Sequence, residues 1–238
     1  VGGPINDQWA FRVAGRYVKD DGYVEDLDPA GTNKLDDQDL QAVRAILRFQ
    51  PNASFSASLS FDHSDFENGN TAVRPNDGIG TAQVFGAVPT RSILEQRNDF
   101  DTFMDWKTGG ATLNVVWDIT DGIQLSSVTA QKSFDMDFFF NTDGTELNVT
   151  RTSEIFDTQP FSQELRLAST SDSRLQWIAG AYYLKEDKDG ALGLVRELGV
   201  PSLRTFNIFA TDNTKAYAVF GELYYELNDR VKLTAGLR

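Results

Sequence analysis

Along residues 53–64 the chain alternates. Phe55, Ala57, Leu59 and Phe61 fall on one side of an extended backbone; Ser54, Ser56, Ser58, Ser60, Asp62 and Ser64 fall on the other. A helix turns once in about 3.6 residues and would scatter both sets around its axis, whereas a strand points successive side chains to opposite faces and sorts them. The same sorting recurs down the chain. Trp9, Phe11, Val13, Gly15 and Tyr17 oppose Arg12, Ala14 and Arg16. Val43, Ala45, Leu47 and Phe49 oppose Arg44, Ile46 and Arg48. Ala111, Leu113, Val115 and Trp117 oppose Thr112, Asn114 and Asp118; Phe161, Gln163, Leu165 and Leu167 oppose Ser162, Glu164 and Arg166. Leu175, Trp177, Ala179, Ala181 and Tyr183 make one face of a further strand. Tyr217, Val219, Leu223, Tyr225 and Leu227 oppose Glu222 and Glu226, and Val231, Leu233, Ala235 and Leu237 oppose Lys232, Thr234 and Arg238. With a weaker alternation over 123–132, the pattern predicts about nine strands.

The connections alternate too. Tight-turn residues stand at Gln50-Pro51-Asn52, Thr120-Asp121-Gly122, Ser171-Asp172-Ser173 and Asn228-Asp229-Arg230; Pro, Gly, Asn, Asp and Ser favour turns through backbone restriction, backbone freedom or local side-chain hydrogen bonds. Between them lie long polar stretches, roughly 20–38, 64–108, 133–159 and 185–215. An up-and-down sheet puts alternate connections at opposite ends, so one end has tight turns and the other large loops, as transmembrane barrels do. Strand length agrees: 9–19, 53–64 and 215–227 reach the roughly 9–11 residues that a tilted spanning strand needs. Trp and Tyr sit near the ends of apolar faces, where a barrel places its interfacial girdles. In a barrel the charged face of each strand lines a wet interior; in a soluble sandwich it would face solvent.

Composition narrows the choice. Mean hydropathy is −0.36, and no stretch approaches the roughly 18 apolar residues of a membrane helix. Barrel strands escape that test because only every second residue is apolar. The net charge of −13 argues against nucleic acid as a partner. The acidic excess lies mainly between strands, as at Asp20, Asp21, Glu25, Asp26 and Asp28, and reads as solvated loops. There is no cysteine, which removes disulfides, zinc–thiolate sites and thiol nucleophiles. The chain opens without a signal-peptide pattern and ends in mid-strand pattern at Arg238, so 1–238 is expected to be one partial barrel domain.

Three stretches carry a family resemblance: FSQELRLAS (161–169), LQWIAGAYYLKED (175–187) and AYAVFGELYYELNDRVKLTAGLR (216–238). In order and spacing they resemble successive barrel strands of the TonB-dependent receptor family, and LRFQPNASFSASLSFDHSD (47–65) resembles a hairpin of the same barrel. The resemblance implies an all-β, antiparallel up-and-down segment of a 22-stranded barrel, forming an open curved sheet by itself. It implies residence in the Gram-negative outer membrane and uptake of a scarce bulky ligand: a ferric siderophore first, cobalamin or a glycan otherwise. The partners it implies are outer-membrane lipid, a small-molecule ligand and the TonB energy-coupling protein, which acts through a plug. Neither plug nor coupling box nor the family's aromatic-ended last strand appears in these residues. The other readings are a porin or fatty-acid channel, and a soluble carbohydrate-binding β-sandwich.

No catalytic constellation, cofactor fingerprint or metal site emerges. His63 is the one histidine and closes an apolar strand face, so a serine–histidine triad has a single candidate and a two-histidine metal site has none. Residues 185–190 spell part of a calcium loop, but Lys185 and Arg196 would occupy ligand positions, which rejects an EF-hand. Gly78-Ile79-Gly80 lacks the strand–helix context of a dinucleotide site. The ligand-contacting candidates are Arg12, Arg16, Arg44, Arg48 and Arg166 on the interior face, and Phe66, Arg74 and Trp106 in the long connections. The run Phe138-Phe139-Phe140 is expected to pack loops together or meet headgroups, with stacking on a ligand as the other use of loop aromatics.

Overall fold

The computed structural model describes residues 1–27, 35–69, 73, 84–88, 90–196 and 205–238. Its strands are β1 (Gly2–Pro4), β2 (Trp9–Asp20), β3 (Glu25–Asp26), β4 (Gln38–Asn52), β5 (Phe55–Glu67), β6 (Glu95–Gln96), β7 (Phe103–Thr120), β8 (Ile123–Asn141), β9 (Thr150–Thr158), β10 (Phe161–Ser169), β11 (Leu175–Arg196), β12 (Thr205–Asn228) and β13 (Val231–Leu237). All but β3 and β6 form one antiparallel sheet, ordered β1-β2-β4-β5-β7-β8-β10-β11-β12-β13, with β9 between β8 and β11. Long strands pair with their neighbours in sequence, so the sheet is an up-and-down meander.

β9 and β10 make one rung. Both lie between β8 and β11, and the pairing runs from Phe134↔Thr158 to Gln131↔Phe161 without a slip. They are divided at Pro160, which has no N–H to give the ladder. The carbonyl of Pro160 still accepts from Lys132 N at 2.9 Å. The Lys132 carbonyl, left without its backbone donor, accepts from the Gln131 side-chain amide at 3.3 Å instead. Counted this way, nine long rungs follow the short β1, matching the alternation pattern.

The sheet has no core. Among the described residues the buried apolar side chains are Val24, Leu35, Ala87 and Val149, none of them in a long strand. Large apolar residues at odd-numbered positions stand uncovered in rung after rung: Leu59 is 48% exposed, Val219 76%, and Phe11, Leu113, Leu165 and Leu233 likewise face out. A sandwich would cover such a face with a second layer. Here a single layer carries a continuous apolar belt that the described residues leave uncovered, which is not the two-layer packing of a sandwich.

The strands outrun the belt, and this corrects the expected connections. β11 is 22 residues long, but its outward apolar series stops at Tyr183 and continues as Lys185, Asp187 and Asp189. Most of the supposed loop 133–159 is strand (β8 to Asn141, β9 from Thr150), and most of 185–215 belongs to β11 and β12. The connection expected over 64–108 begins after Glu67 and ends before Phe103. Phe138 to Phe140 are therefore strand residues. Three tight turns fall where expected, at 121–122, 170–174 and 229–230; the one expected at Gln50-Pro51-Asn52 lies at 53–54 instead, because β4 runs on to Asn52 through a register shift after Phe49.

Candidate functional site

Cross-strand register decides which side chains share a face, because directly paired residues point the same way. Arg12 faces Ile46, Ala14 faces Arg44, and Ala10 faces Arg48, while Arg16 faces Ala42. Arg12, Arg16, Arg44 and Arg48 thus form one basic patch on the face opposite the belt, across two adjacent strands. Arg48 donates to Gln50 Oε1 at 2.8 Å. Arg166 shares the face but stands four rungs further along, where it ion-pairs with Glu164 at 2.6 Å. The structure therefore gathers four of the five expected arginines and separates the fifth.

Asp62 faces Arg44 in register, yet its carboxylate is bound by Lys132, two strands away. Gly110 lies between them in the ladders. A Cβ there would come within 2.5 Å of Lys132 Cδ, so the missing side chain is what lets the lysine cross β7. With Asp62 neutralised by Lys132, the basic patch keeps its positive field. A hollow of about 290 Å³ sits beside it, lined by Ala14, Arg16, Arg44, Asp62, Ser64 and Thr108 among others.

Further up the strands the same face changes character. A single lateral row links Val18, Leu40, Phe66, Trp106, Met136, Phe156, Gly190 and Ala210, one residue from each of eight successive rungs, and none is charged. Phe66 and Trp106 stack with centroids 4.9 Å apart, Phe134 and Phe156 lie at 6.0 Å, and Phe138 and Phe140 at 5.0 Å. Phe66 and Trp106 were expected in a loop; they face each other across the β5/β7 ladder. Arg74 lies outside the described residues. The other aromatics of this wall were missed as wall residues because they lie beyond the belt, where the outward apolar series had already ended. The signal was present: Phe134, Met136 and Phe138 alternate with Asp135 and Asp137 on the even phase, ahead of the run that ends at Phe140.

The outward face inverts in step. The row next to the aromatic one runs Tyr17, Gln41, Asp65, Lys107, Asp135, Asp157, Asp189, Thr211. Lys107 and Asp65 pair at 3.3 Å. Asp135 is held above the ordinary carboxylate range, chiefly by a hydrogen bond with Asp157 and then by partial desolvation and the charge of Asp157. Asp105, in the next row, is pushed up by burial and by Glu67 and Asp137. Carboxylates so crowded are compatible with a watery surface and not with an apolar one.

Loops tie the rim together. β3 and β6 pair in parallel, and Asn98 donates to both oxygens of Asp26, at 3.1 and 3.0 Å. In the β8/β9 hairpin, buried Asn141 accepts from Asp143 N and Gly144 N. Asp143 accepts from the N–H and hydroxyl of both Thr145 and Thr150. Phe100 packs on Phe139 at 4.6 Å, with Arg151 over its ring. Among the described residues no three histidine or carboxylate side chains converge to hold a metal ion.

No protein-family model matches the chain. Solved structures share its fold. The ferric yersiniabactin uptake receptor of Yersinia pestis superposes with a TM-score of 0.70 at 16% identity, over 99% of this chain and 34% of that one. The siderophore receptor PiuA of Acinetobacter baumannii gives 0.56 at 12% identity, over 99% and 42%. The ferric preacinetobactin receptor of the same organism gives 0.58 at 12%, over 99% and 43%. The chain spans between a third and a half of the length of these receptors. It has the fold of part of a TonB-dependent receptor barrel, the family its strands resemble.

Proposed function

We propose that this chain forms part of the barrel wall of a TonB-dependent receptor in the outer membrane, which takes up a scarce bulky ligand by energy-coupled transport. The observation that carries the reading is the uncovered apolar belt on one face of a single-layer meander, backed by a charged face. In such a barrel lipid covers the belt and the charged face lines the interior. Residues 1–238 then form a partial barrel domain, and no covalent bond is made or broken by it. The energy-coupling protein acts through a plug, which in this reading belongs to the rest of the receptor. A ferric siderophore is the leading cargo class, because the structures sharing the fold are named for siderophores; cobalamin or a glycan follows by the family resemblance.

The arrangement supplies two functional surfaces. The basic patch of Arg12, Arg16, Arg44 and Arg48 faces the interior at belt level, suited to anionic groups on a plug or on passing cargo. The aromatic wall faces the interior above it. The test is uptake of radioactive iron, offered as a panel of ferric chelates, by cells expressing the full-length gene. The expected result is saturable uptake that stops when the inner-membrane proton gradient is collapsed. Uptake that persists without the gradient indicates a passive channel, and a receptor recovered in the soluble fraction contradicts the barrel itself.

A further inference from the structure

The wall above the belt has a chemistry of its own. Phe66, Trp106, Met136 and Phe156 present rings and a thioether to the interior, all half-buried in the sheet. Beyond Phe156 the row drops to Gly190 and Ala210; a Cβ on Gly190 would touch the Phe156 ring at 3.6 Å, so the ring borders a shallow step with little side chain on its floor. The charges flanking the step on this face are mainly acidic. Glu154 stands two residues from Phe156, and Asp212 lies one row below Ala210. Lys188, opposite Asp212, is held by Glu186 at 2.9 Å. The arginine patch lies on β2 and β4, at the opposite end of the row.

We propose that this wall is a ligand subsite for a planar aromatic or apolar group that is uncharged or cationic, and that it disfavours anionic groups. The proposal rests on the receptor reading for which face is interior. Ring faces bind flat apolar groups by stacking, and attract cations through their quadrupole. Glu154 and Asp212 add a negative field that repels a carboxylate or sulfonate resting on this half-buried wall. The cargo, or the part of it that rests here, then differs in charge from whatever the arginine patch attracts.

A matched pair of probes tests this: N-phenyl-1-naphthylamine, which is neutral, and 1-anilinonaphthalene-8-sulfonate, which adds an anionic sulfonate to the same rings. Saturable binding to the purified full-length receptor is read by probe emission, and closeness to Trp106 by energy transfer from tryptophan. The expected result is saturable binding of the neutral probe, with the sulfonate at least about five-fold weaker. Trp106→Phe should keep the binding and lower the transfer. Phe156→Ser should weaken the neutral probe about five-fold, the factor that about 1 kcal/mol of lost stacking gives. Glu154→Lys should narrow the gap between the probes. Absence of saturable neutral-probe binding, equal or tighter binding of the sulfonate, or indifference to Phe156→Ser in a receptor that still folds overturns the proposal. Proton-gradient-dependent iron uptake is scored in the same cells. Uptake without probe binding overturns this inference alone; probe binding without energised uptake overturns the receptor reading and leaves the subsite standing.

Discussion

The lower and upper lengths of β11 are one continuous strand with opposite rules. From Leu175 to Tyr183 the odd positions are apolar and face away from the charged interior; from Lys185 to Asp189 the odd positions are charged. On the even positions Gln176, Ile178, Gly180, Tyr182 and Leu184 below give way to the ion pair of Glu186 and Lys188, and the apolar residues Leu192 and Leu194 follow only further up. β8 shares the outward change and adds an inward one, with Asp135 and Asp137 outward and Phe134, Met136 and Phe138 inward in its upper half. Backbone geometry is common to both lengths, so in the proposed barrel what differs is the solvent. Lipid requires apolar outward residues in the lower length. Water beyond the lipid permits carboxylates outside and leaves the inner face free to carry rings.

Substitutions of one kind placed in the two lengths should therefore diverge. The largest effect is expected for Leu59→Arg, which puts a charge into the middle of the belt; it should cost about 2–4 kcal/mol in urea unfolding of the full receptor in lipid vesicles. Ser60→Arg, one residue on and facing the interior, should cost under about 0.5 kcal/mol. Equal costs would erase the distinction between the faces. Next comes Asp143→Ala, which removes the acceptor of four donors in the β8/β9 hairpin. It should loosen residues 139–151 by about 1.5–3 kcal/mol in hydrogen exchange, with protection in 55–61 unchanged. Loss of protection in both lengths would mean that rim and belt unfold as one.

Gln131→Met removes the side-chain donor that replaces the missing Pro160 N–H, and should cost about 1 kcal/mol. Pro160→Ala in the same background should recover most of it, since a backbone N–H then reaches the Lys132 carbonyl; additive losses in the double variant would contradict that pairing. The smallest effect is a pH dependence confined to the upper length. The Asp135 carboxyl, held up by Asp157, keeps its proton more tightly in the folded sheet than in the unfolded chain. The folded state binds more protons there, so local stability is greatest below the ordinary aspartate range and falls as pH rises through the raised value. Asp157→Asn should flatten that slope in hydrogen exchange of 133–137; an unchanged slope would assign it to other carboxylates.

The nine rungs could be read from the chain because nearly all have a stretch whose odd residues are apolar, as the proposed lipid-facing surface requires; 123–132 alternates more weakly. The turns could be read because tight reversals need particular residues, as at Asp121-Gly122 and Asp229-Arg230. The upper lengths could not, since the outward apolar series ends at Tyr183 in β11 and well before Asp135 in β8, and a pattern followed on that face stops there. That hid the strand character of 133–141 and 205–214. It also put Phe66 and Trp106 in a loop, although their stacking depends on ladder pairing that only register reveals. The four arginines were legible as a face, but their gathering on adjacent strands depends on the β2/β4 register, and the release of Arg44 from Asp62 depends on Gly110.

The absence of cysteine from these residues makes the central claim directly measurable. Single cysteines placed along β11 at 177, 179, 181, 183, 185, 187 and 189 in the full-length receptor, labelled with a fluorophore and reconstituted in vesicles, can be challenged with lipid-borne and aqueous quenchers. Lipid quenching at 177–181 that gives way to aqueous quenching at 185–189, with Tyr183 at the border, is the predicted result. Aqueous quenching at 177–181 in the folded receptor would contradict the assignment of this face to lipid, and with it the barrel account.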